Sequence, residues 1–458
     1  MRKASKQISL TDDVHVTHHG GKNSVTGSCH ELTIHGDGLL IDCGLFQGND
    51  AVNKSLEIEF KISHICALVL THAHIDHIGR LPWLLAKGFQ GPIYCTYATA
   101  HLVPLMLDDG LRLQLDLTRV QRSRILERIK RQLQPAEYGS WVPIKSQQQS
   151  YFTYIRFSPA GHILGSAYVE VKLPTQEIAV FSGDLGPKNT PLLPDPLPPK
   201  RADYLFIETT YGNKQHESVE ARSERLLTII MKSLQNGGTI IIPAFSVGRT
   251  QELLYDIESL LYQKQLSDSL PIIVDSPMAA KITKAYRQYR KLWTAEAKGK
   301  RDAGRYPLGF RQCVVIDSHK EHIALVNRLA STGEPAIVIA ASGMCMGGRV
   351  MDYLKALLPD SRSDVIFTGY QVKGTLGRQL QKKVKRVEID NQSVAVQACI
   401  HTMSGYSAHA DQQDLMSYIT GCKDQLKQLH LIHGEKDAKE ALVECISPYL
   451  EPPTRIVY

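Results

Sequence analysis

The feature that most restricts this chain is the run Thr71-His72-Ala73-His74-Ile75-Asp76-His77, which follows directly on the apolar stretch Ala67 to Leu70. Three histidines and an aspartate so closely spaced arise by chance in roughly one chain in a thousand of this length and histidine content. In an extended loop His72 and His74 project to the same side, while Asp76 and His77 sit just beyond and can face a second cation. Such a run cannot complete a metal shell alone. A third imidazole for the first ion and a carboxylate to bridge the pair must come from distant segments, so the chain has to gather several strand ends in one place.

Two later strand ends supply candidates. One is Ala160-Gly161-His162-Ile163-Leu164-Gly165-Ser166, and the other is Phe181-Ser182-Gly183-Asp184-Leu185-Gly186. Asp42, closing the stretch Leu39 to Asp42, is a carboxylate suited to fixing the tautomer of a ligand from behind. His18, His19, His30 and His401 are read as satisfied polar residues.

The rest of the sequence describes the scaffold. Up to about Glu208 it is a series of short apolar segments broken by turns: a hairpin from Glu31 to Asp42 around Gly36-Asp37-Gly38, then buried strands at Ile65 to Thr71, Pro92 to Tyr97, Ile178 to Ser182 and Tyr204 to Glu208. Leu111 to Gln134 reads as one long basic amphipathic helix with a solvated face, and Pro191 to Lys200 as a stiff loop. From about Tyr211, strands at Thr239 to Pro243, Ile272 to Asp275, Cys313 to Ile316, Ala336 to Ala340 and Val365 to Thr368 alternate with helical stretches, which implies a doubly wound parallel α/β domain. Ser246-Val247-Gly248-Arg249, Asp275-Ser276-Pro277, Ser342-Gly343-Met344 and Gly374-Thr375-Leu376-Gly377 each stand where a strand runs into a helix, either to present backbone N–H groups to an anion or as helix caps that need no ligand. Histidine-rich chemistry returns after Cys399, so the α/β domain is inserted into the first, whose last strands and helix come from the C-terminus.

Composition limits the function classes. The longest apolar runs, such as Ile65 to Leu70, fall far short of the roughly 20 residues that cross a bilayer, and MRKASKQISL carries no apolar signal core. Nine scattered cysteines without a C-x-x-C pair fit buried thiols in a reducing compartment, so a cytoplasmic protein without a membrane is expected. A net charge of +7 suits a polyanionic partner but supports one only weakly.

Asp42, the H-x-H-x-D-H run, His162 and Asp184 occur in the order and spacing of the successive motifs of the metallo-β-lactamase superfamily, which the chain resembles. The resemblance implies an αββα sandwich in which His72, His74 and His162 hold one metal, Asp76, His77 and a final histidine hold the other, and Asp184 bridges them. The ligand types suit two zinc ions, with manganese as an alternative. Leu205-Phe206-Ile207-Glu208-Thr209-Thr210-Tyr211-Gly212 resembles the box that opens the β-CASP nucleases, with Thr209 where serine is usual. Pro243 to Glu252, Ser342-Gly343-Met344 and Gly374-Thr375-Leu376 resemble the inserted domain's own boxes, and Ser407-Ala408-His409 and Ile432-His433-Gly434-Glu435 its last two histidine motifs. The likeness is strongest to compact RNA-cleaving members related to the nuclease subunit of the messenger-RNA 3′-end cleavage machinery. It implies a metallo-β-lactamase domain at 1–209 and 398–458 and a β-CASP insertion at 210–397.

DNA-processing relatives typically carry an aliphatic residue where the RNA-directed ones carry the last histidine, so His433 implies RNA and completes the second ligand set. The expected activity is hydrolysis of RNA phosphodiester bonds, internally or from an end, by a two-metal-activated hydroxide. Asp76, Glu208 and His409 form the expected catalytic set, with His409, oriented by Glu208, as the acid for the leaving oxygen. Arg249, Ser342, Lys373 and Arg378 are expected to meet the backbone of a single-stranded RNA. The oligomeric state, a homodimer among the choices, is left open. Three other readings compete: a thioesterase or lactonase on the same metal scaffold, which leaves the insertion and His409 without a task; a non-catalytic binding subunit, which the full set of candidate ligands disfavours; and a DNA-processing nuclease, which His433 disfavours.

Overall fold

A computed structural model describes residues 7–114, 117–146, 152–266 and 270–458. The chain divides into two compact units, one of 1–188, 194–215 and 409–458, the other of 189–193 and 216–408.

The first unit is built on two seven-stranded sheets. The first runs in sequence order through β1 (Ile8–Thr11), β2 (Val14–Gly20), β3 (Cys29–Ile34), β4 (Asp37–Ile41), β5 (Ile65–Val69), β6 (Ile93–Thr96) and β7 (Leu133–Ala136). Strands β1 to β4 pair antiparallel, and β4 to β7 parallel. The second begins with β8 (Trp141–Lys145), β9 (Phe152–Pro159), β10 (Ala167–Lys172), β11 (Ile178–Phe181) and β12 (Tyr204–Glu208). Here β8 to β11 are antiparallel, and β11 pairs parallel with β12.

Alternation explains the sandwich. Val14, Val16, Leu32, Ile34, Leu39, Ile41, Ala67 and Val69 point inward from the first sheet to meet Ile155, Phe157, Val169, Val171, Ala179, Phe181 and Phe206 of the second. The opposite face of the second sheet, with Val180, Leu205 and Ile207, is covered by Leu415, Tyr418 and Ile419 of helix Gln412–Thr420 and by Leu442 and Ile446 of helix Lys436–Ile446.

In the second unit six strands form one parallel sheet: β13 (Thr239–Pro243), β14 (Ile272–Asp275), β15 (Cys313–Val315), β16 (Ala336–Ala340), β17 (Asp364–Phe367) and, after the two-stranded ribbon of β18 (Arg386–Ile389) and β19 (Gln392–Ala395), β20 (Cys399–Thr402). Strands β13, β14, β16 and β17 are buried along their whole length, as continuous apolar runs in a sheet covered on both faces require. The Ser276 and Thr375 hydroxyls each accept a backbone N–H at the start of a helix, so both act as caps. The chain then returns to the first unit, where β21 (Gln428–Ile432) and β22 (Arg455–Val457) extend the second sheet in parallel from β12.

Two expectations are corrected. The basic stretch expected to be one helix from Leu111 to Gln134 is two, Tyr97–Gln114 and Arg119–Gln132, the second opened by a capping box between Thr118 and Gln121; residues 115 and 116 lie outside those described. Several of its cations are tied to neighbouring carboxylates, Arg112 to Asp109, Arg122 to Asp108 and Lys130 to Glu127, in keeping with a solvated face. The second unit also extends past residue 398, because β20 takes its hydrogen bonds from β17 and so belongs to the parallel sheet.

Phe206 lies at the centre of the sandwich, stacked between Phe181 at 4.5 Å and His430 at 4.3 Å and closed to solvent. Phe206→Ala is expected to destabilise the fold by about 3–5 kcal/mol, measured by urea unfolding; a loss below about 1 kcal/mol contradicts this packing.

Candidate metal centre

Every expected ligand belongs to the first unit; all but His162, which lies in the turn between the antiparallel strands β9 and β10, follow strands that have a parallel neighbour. Beyond β5 the chain stays extended through His74 and then turns into the short helix Ile75–Ile78, which carries Asp76 and His77. Asp42 follows β4, Asp184 follows β11, Glu208 ends β12 and His433 follows β21. Because β11, β12 and β21 run parallel, with Phe181 level with Phe206 and Glu208 level with Ile432, their ends deliver Asp184, Glu208 and His433 to one edge. Close backbone approach fixes the rest. A Cβ on Gly44 would run into the Asp76 carbonyl oxygen, and one on Gly186 into that of Gly161, the residue before His162. The Ser166 hydroxyl accepts the backbone N–H groups of His162 and Ile163, which pins that loop.

Two clusters result. In the first, His74 Nδ1 lies 3.1 Å from His72 Nε2 and 2.8 Å from His162 Nε2, while Asp184 Oδ2 lies 3.4 and 3.5 Å from those two Nε2 atoms. In the second, Asp184 Oδ1 is 3.2 Å from His77 Nε2 and 3.5 Å from His433 Nε2, and Asp76 Oδ2 is 3.8 Å from His77 Nε2. Within each set of four residues, the ligand atoms lie within 4.8 Å of one another. A tetrahedral site with metal–nitrogen bonds of about 2.0–2.1 Å has edges of about 3.3 Å, which both sets approximate.

The hydrogen bonds fix which ring nitrogens are available. Asp42 accepts the Thr71 N–H and hydroxyl and the His77 Nδ1–H, each at 2.8 Å, and so turns the His77 Nε2 lone pair inward. With its proton given to Asp42, the Thr71 hydroxyl accepts His72 Nδ1–H at 3.0 Å, which leaves His72 Nε2 unprotonated as well. His77 Nε2 and Asp184 Oδ1 are buried without a hydrogen bond of proper geometry, as two groups that share a cation would be. The residues therefore fit a pair of cations.

Electrostatics agree. Burial lowers the protonation of His72, His74 and His162, strongly for the last two, and neighbouring imidazoles reinforce it, so these rings stay neutral as ligands must. Burial pulls the same way at His77, but the carboxylates of Asp184 and Asp42 outweigh it and hold its pKa well above the ordinary value. Burial alone would push the Asp184 carboxyl up; the imidazoles of His433, His77, His72 and His409 hold it well below the usual range.

Beside the clusters, His409 Nδ1 donates to both oxygens of the fully buried Glu208 at 3.1 Å, and Glu208 Oε1 also accepts the Leu185 N–H at 2.7 Å. Burial opposes charge on His409, yet attraction to Glu208 and Asp184 raises its pKa to about 9.

The four residues expected at the RNA backbone lie in the second unit and fare differently. Arg249 is only 3% exposed and donates to Glu252 and to the Tyr406 carbonyl, so it braces the interior of that unit and presents no head to RNA. Lys373 is exposed, and Ser342 and Arg378 are half-buried. Histidines left without a role are satisfied elsewhere: His18 meets His30, His19 meets Glu31 and His401 meets Asp364. Two supporting residues escaped the sequence reading. Thr71 sets the His72 tautomer and donates to Asp42, which sets that of His77, and its place beside His72 was the available signal. Lys439 donates to the Lys22 carbonyl and Asn23, holding the loop whose Gly21 carbonyl accepts the His433 N–H; nothing local in the sequence points to it.

Comparison with known proteins places the same residues. Residues 25–228 match the model of the metallo-beta-lactamase superfamily, 250–380 that of the Beta-Casp domain, and 393–451 that of the Zn-dependent metallo-hydrolase RNA specificity domain. The chain is 34% identical over 423 residues to Ribonuclease TTHA0252 of Thermus thermophilus, covering 92% of this chain and 94% of that protein. It is 29% identical to transcription termination factor FttA of Methanosarcina mazei over 99% of this chain and 72% of the relative, and 30% identical to FttA of Methanocaldococcus jannaschii over 95% and 69%. The chain belongs to the metallo-beta-lactamase superfamily, among the members that carry a Beta-Casp domain.

Proposed function

We propose that the chain is a metal-dependent ribonuclease that hydrolyses RNA phosphodiester bonds at this centre. The observation that carries the reading is Asp184, whose two carboxylate oxygens each face a separate set of metal-binding side chains. His72, His74 and His162 would hold one ion, and Asp76, His77 and His433 the other. The nitrogen-rich sets favour zinc over harder cations, although manganese takes the same ligand types. When bound, such a pair supplies a nucleophile at neutral pH and screens the charge that develops on the phosphoryl oxygens. RNA as substrate is supported by the RNA specificity domain matched at 393–451, by the ribonuclease among the relatives, and by a histidine at 433. A buried centre favours a single strand over a duplex, whose paired backbones cannot both fold inward.

The chain's own part is proton delivery. With Nδ1–H fixed on Glu208, His409 keeps a second proton on Nε2, and its raised pKa keeps that proton at neutral pH. When the phosphorus–oxygen bond breaks, this proton passes to the leaving oxygen, and Glu208 stabilises the imidazolium beforehand. Lys373, Ser342 and Arg378 are the residues proposed to hold the RNA backbone. Nine free thiols support action in a reducing compartment, the cytoplasm.

A time course on end-labelled single-stranded RNA tests the reading. Wild type should cut the strand, EDTA should abolish the cut, and His409→Ala should slow it about 10²–10⁴-fold. Glu208→Gln removes the attraction that raises the His409 pKa, so the fall in rate on the alkaline side should begin at lower pH. EDTA-resistant cleavage, or a His409→Ala enzyme as fast as wild type, contradicts the assignment. Binding to RNA in EDTA should weaken with salt, and Lys373→Ala should flatten the log–log slope by about 0.7. An unchanged slope in fluorescence anisotropy removes Lys373 from the contact set.

A further inference from the structure

The second unit contains a basic pocket that the centre does not use. Between Lys284 and Arg311 the sequence holds nine lysines and arginines against two acidic residues, Glu296 and Asp302. Glu296 is committed to Lys300 and Tyr255, and Arg305 is paired with Glu258. What remains surrounds a pocket of about 220 Å³ lined by Arg287, Arg290, Trp293, Arg301, Tyr306 and the turn to Gly309. Among the described residues none of these three arginines forms an ion pair; Arg301 lies over the Tyr306 ring at 4.2 Å.

Helix C-termini attract cations, which accounts for Arg287 and Arg301 near the ends of helices Pro277–Gln288 and Ala295–Asp302. It does not account for Trp293. This indole is 4% exposed, lines the pocket, and its Nε1–H is buried without an acceptor. A buried indole donor without an acceptor, on a residue that lines the same pocket as three guanidiniums without ion pairs, fits an anion that also accepts a hydrogen bond, and the aromatic side chains add flat faces on which a planar base can stack. The volume is below the roughly 300–1,000 Å³ of pockets for drug-sized ligands, which limits the occupant to a single phosphate-bearing unit.

We propose that this pocket binds one nucleotide through its phosphate, with the guanidiniums of Arg287 and Arg290 on the phosphate oxygens and the Trp293 indole N–H donating to the same ligand. The nucleotide comes either as a free mononucleotide or as one unit of an RNA strand. The pocket shares no residue with the metal ligands, so it stands whether or not the chain cleaves RNA.

The chain has three tryptophans, so Trp83→Phe with Trp141→Phe leaves Trp293 as the only indole, and its fluorescence reads this pocket alone. The full chain is titrated in EDTA with inorganic phosphate, AMP and a ten-nucleotide RNA. A saturable change is expected, with the Kd rising about tenfold for each guanidinium removed in Arg287→Ala and Arg290→Ala. Saturation by AMP but not by RNA identifies a free nucleotide as the ligand, and the reverse identifies a strand; both support the pocket. No saturable change with any of the three probes, or the same Kd in the arginine variants with circular dichroism unchanged, overturns it. Neither result depends on cleavage, which the EDTA time course reads separately.

Discussion

One carboxylate organises the first unit. Asp184 is taken out of water beside five imidazoles, and its two oxygens look toward two different groups of lone pairs. Nothing in folding favours that arrangement. Buried polar atoms without partners cost about 1–3 kcal/mol each, and His77 Nε2 and Asp184 Oδ1 are two of them. A protein that keeps such an arrangement uses it to bind charge, and divalent cations and protons compete for the same lone pairs.

The scaffold holds this in place by geometry more than by local attraction. Both sheets of the first unit change from antiparallel to parallel pairing partway across, and strands of the parallel parts lead into the site: β4 to Asp42 and β5 to His72 and His74 in one sheet, β11 to Asp184, β12 to Glu208 and β21 to His433 in the other. Asp42 and Thr71 then turn two rings so that the correct nitrogens point inward. A buried Glu208 keeps His409 charged next to them. The interior sandwich around Phe206 supplies the rigidity these distances need.

Much of the site was legible because its ligands are clustered in sequence or sit at strand ends. His72 to His77 announce themselves by spacing, and the parallel strands of the second unit by unbroken apolar runs such as Thr239 to Pro243. What stayed hidden depended on partners far along the chain. Strand β10 did not stand out because Glu170 interrupts it; that carboxylate is buried only because Arg156 of β9 pairs with it. Arg249 looked like a phosphate contact because its burial against Glu252 and Tyr406 is a tertiary fact. The place of β20 depended on β17, and the backbone of His433, with a φ of 47°, is set by bonds to Gly21 and Thr209 that no local pattern predicts.

The account therefore stands on a shared carboxylate that joins two ion sites, and counting bound zinc per chain by native mass spectrometry tests it most directly. Wild type should carry two ions, and His433→Ala, which strips one ligand from the second set alone, should carry one. A single ion in wild type, or two retained with full affinity in His433→Ala, contradicts the shared centre.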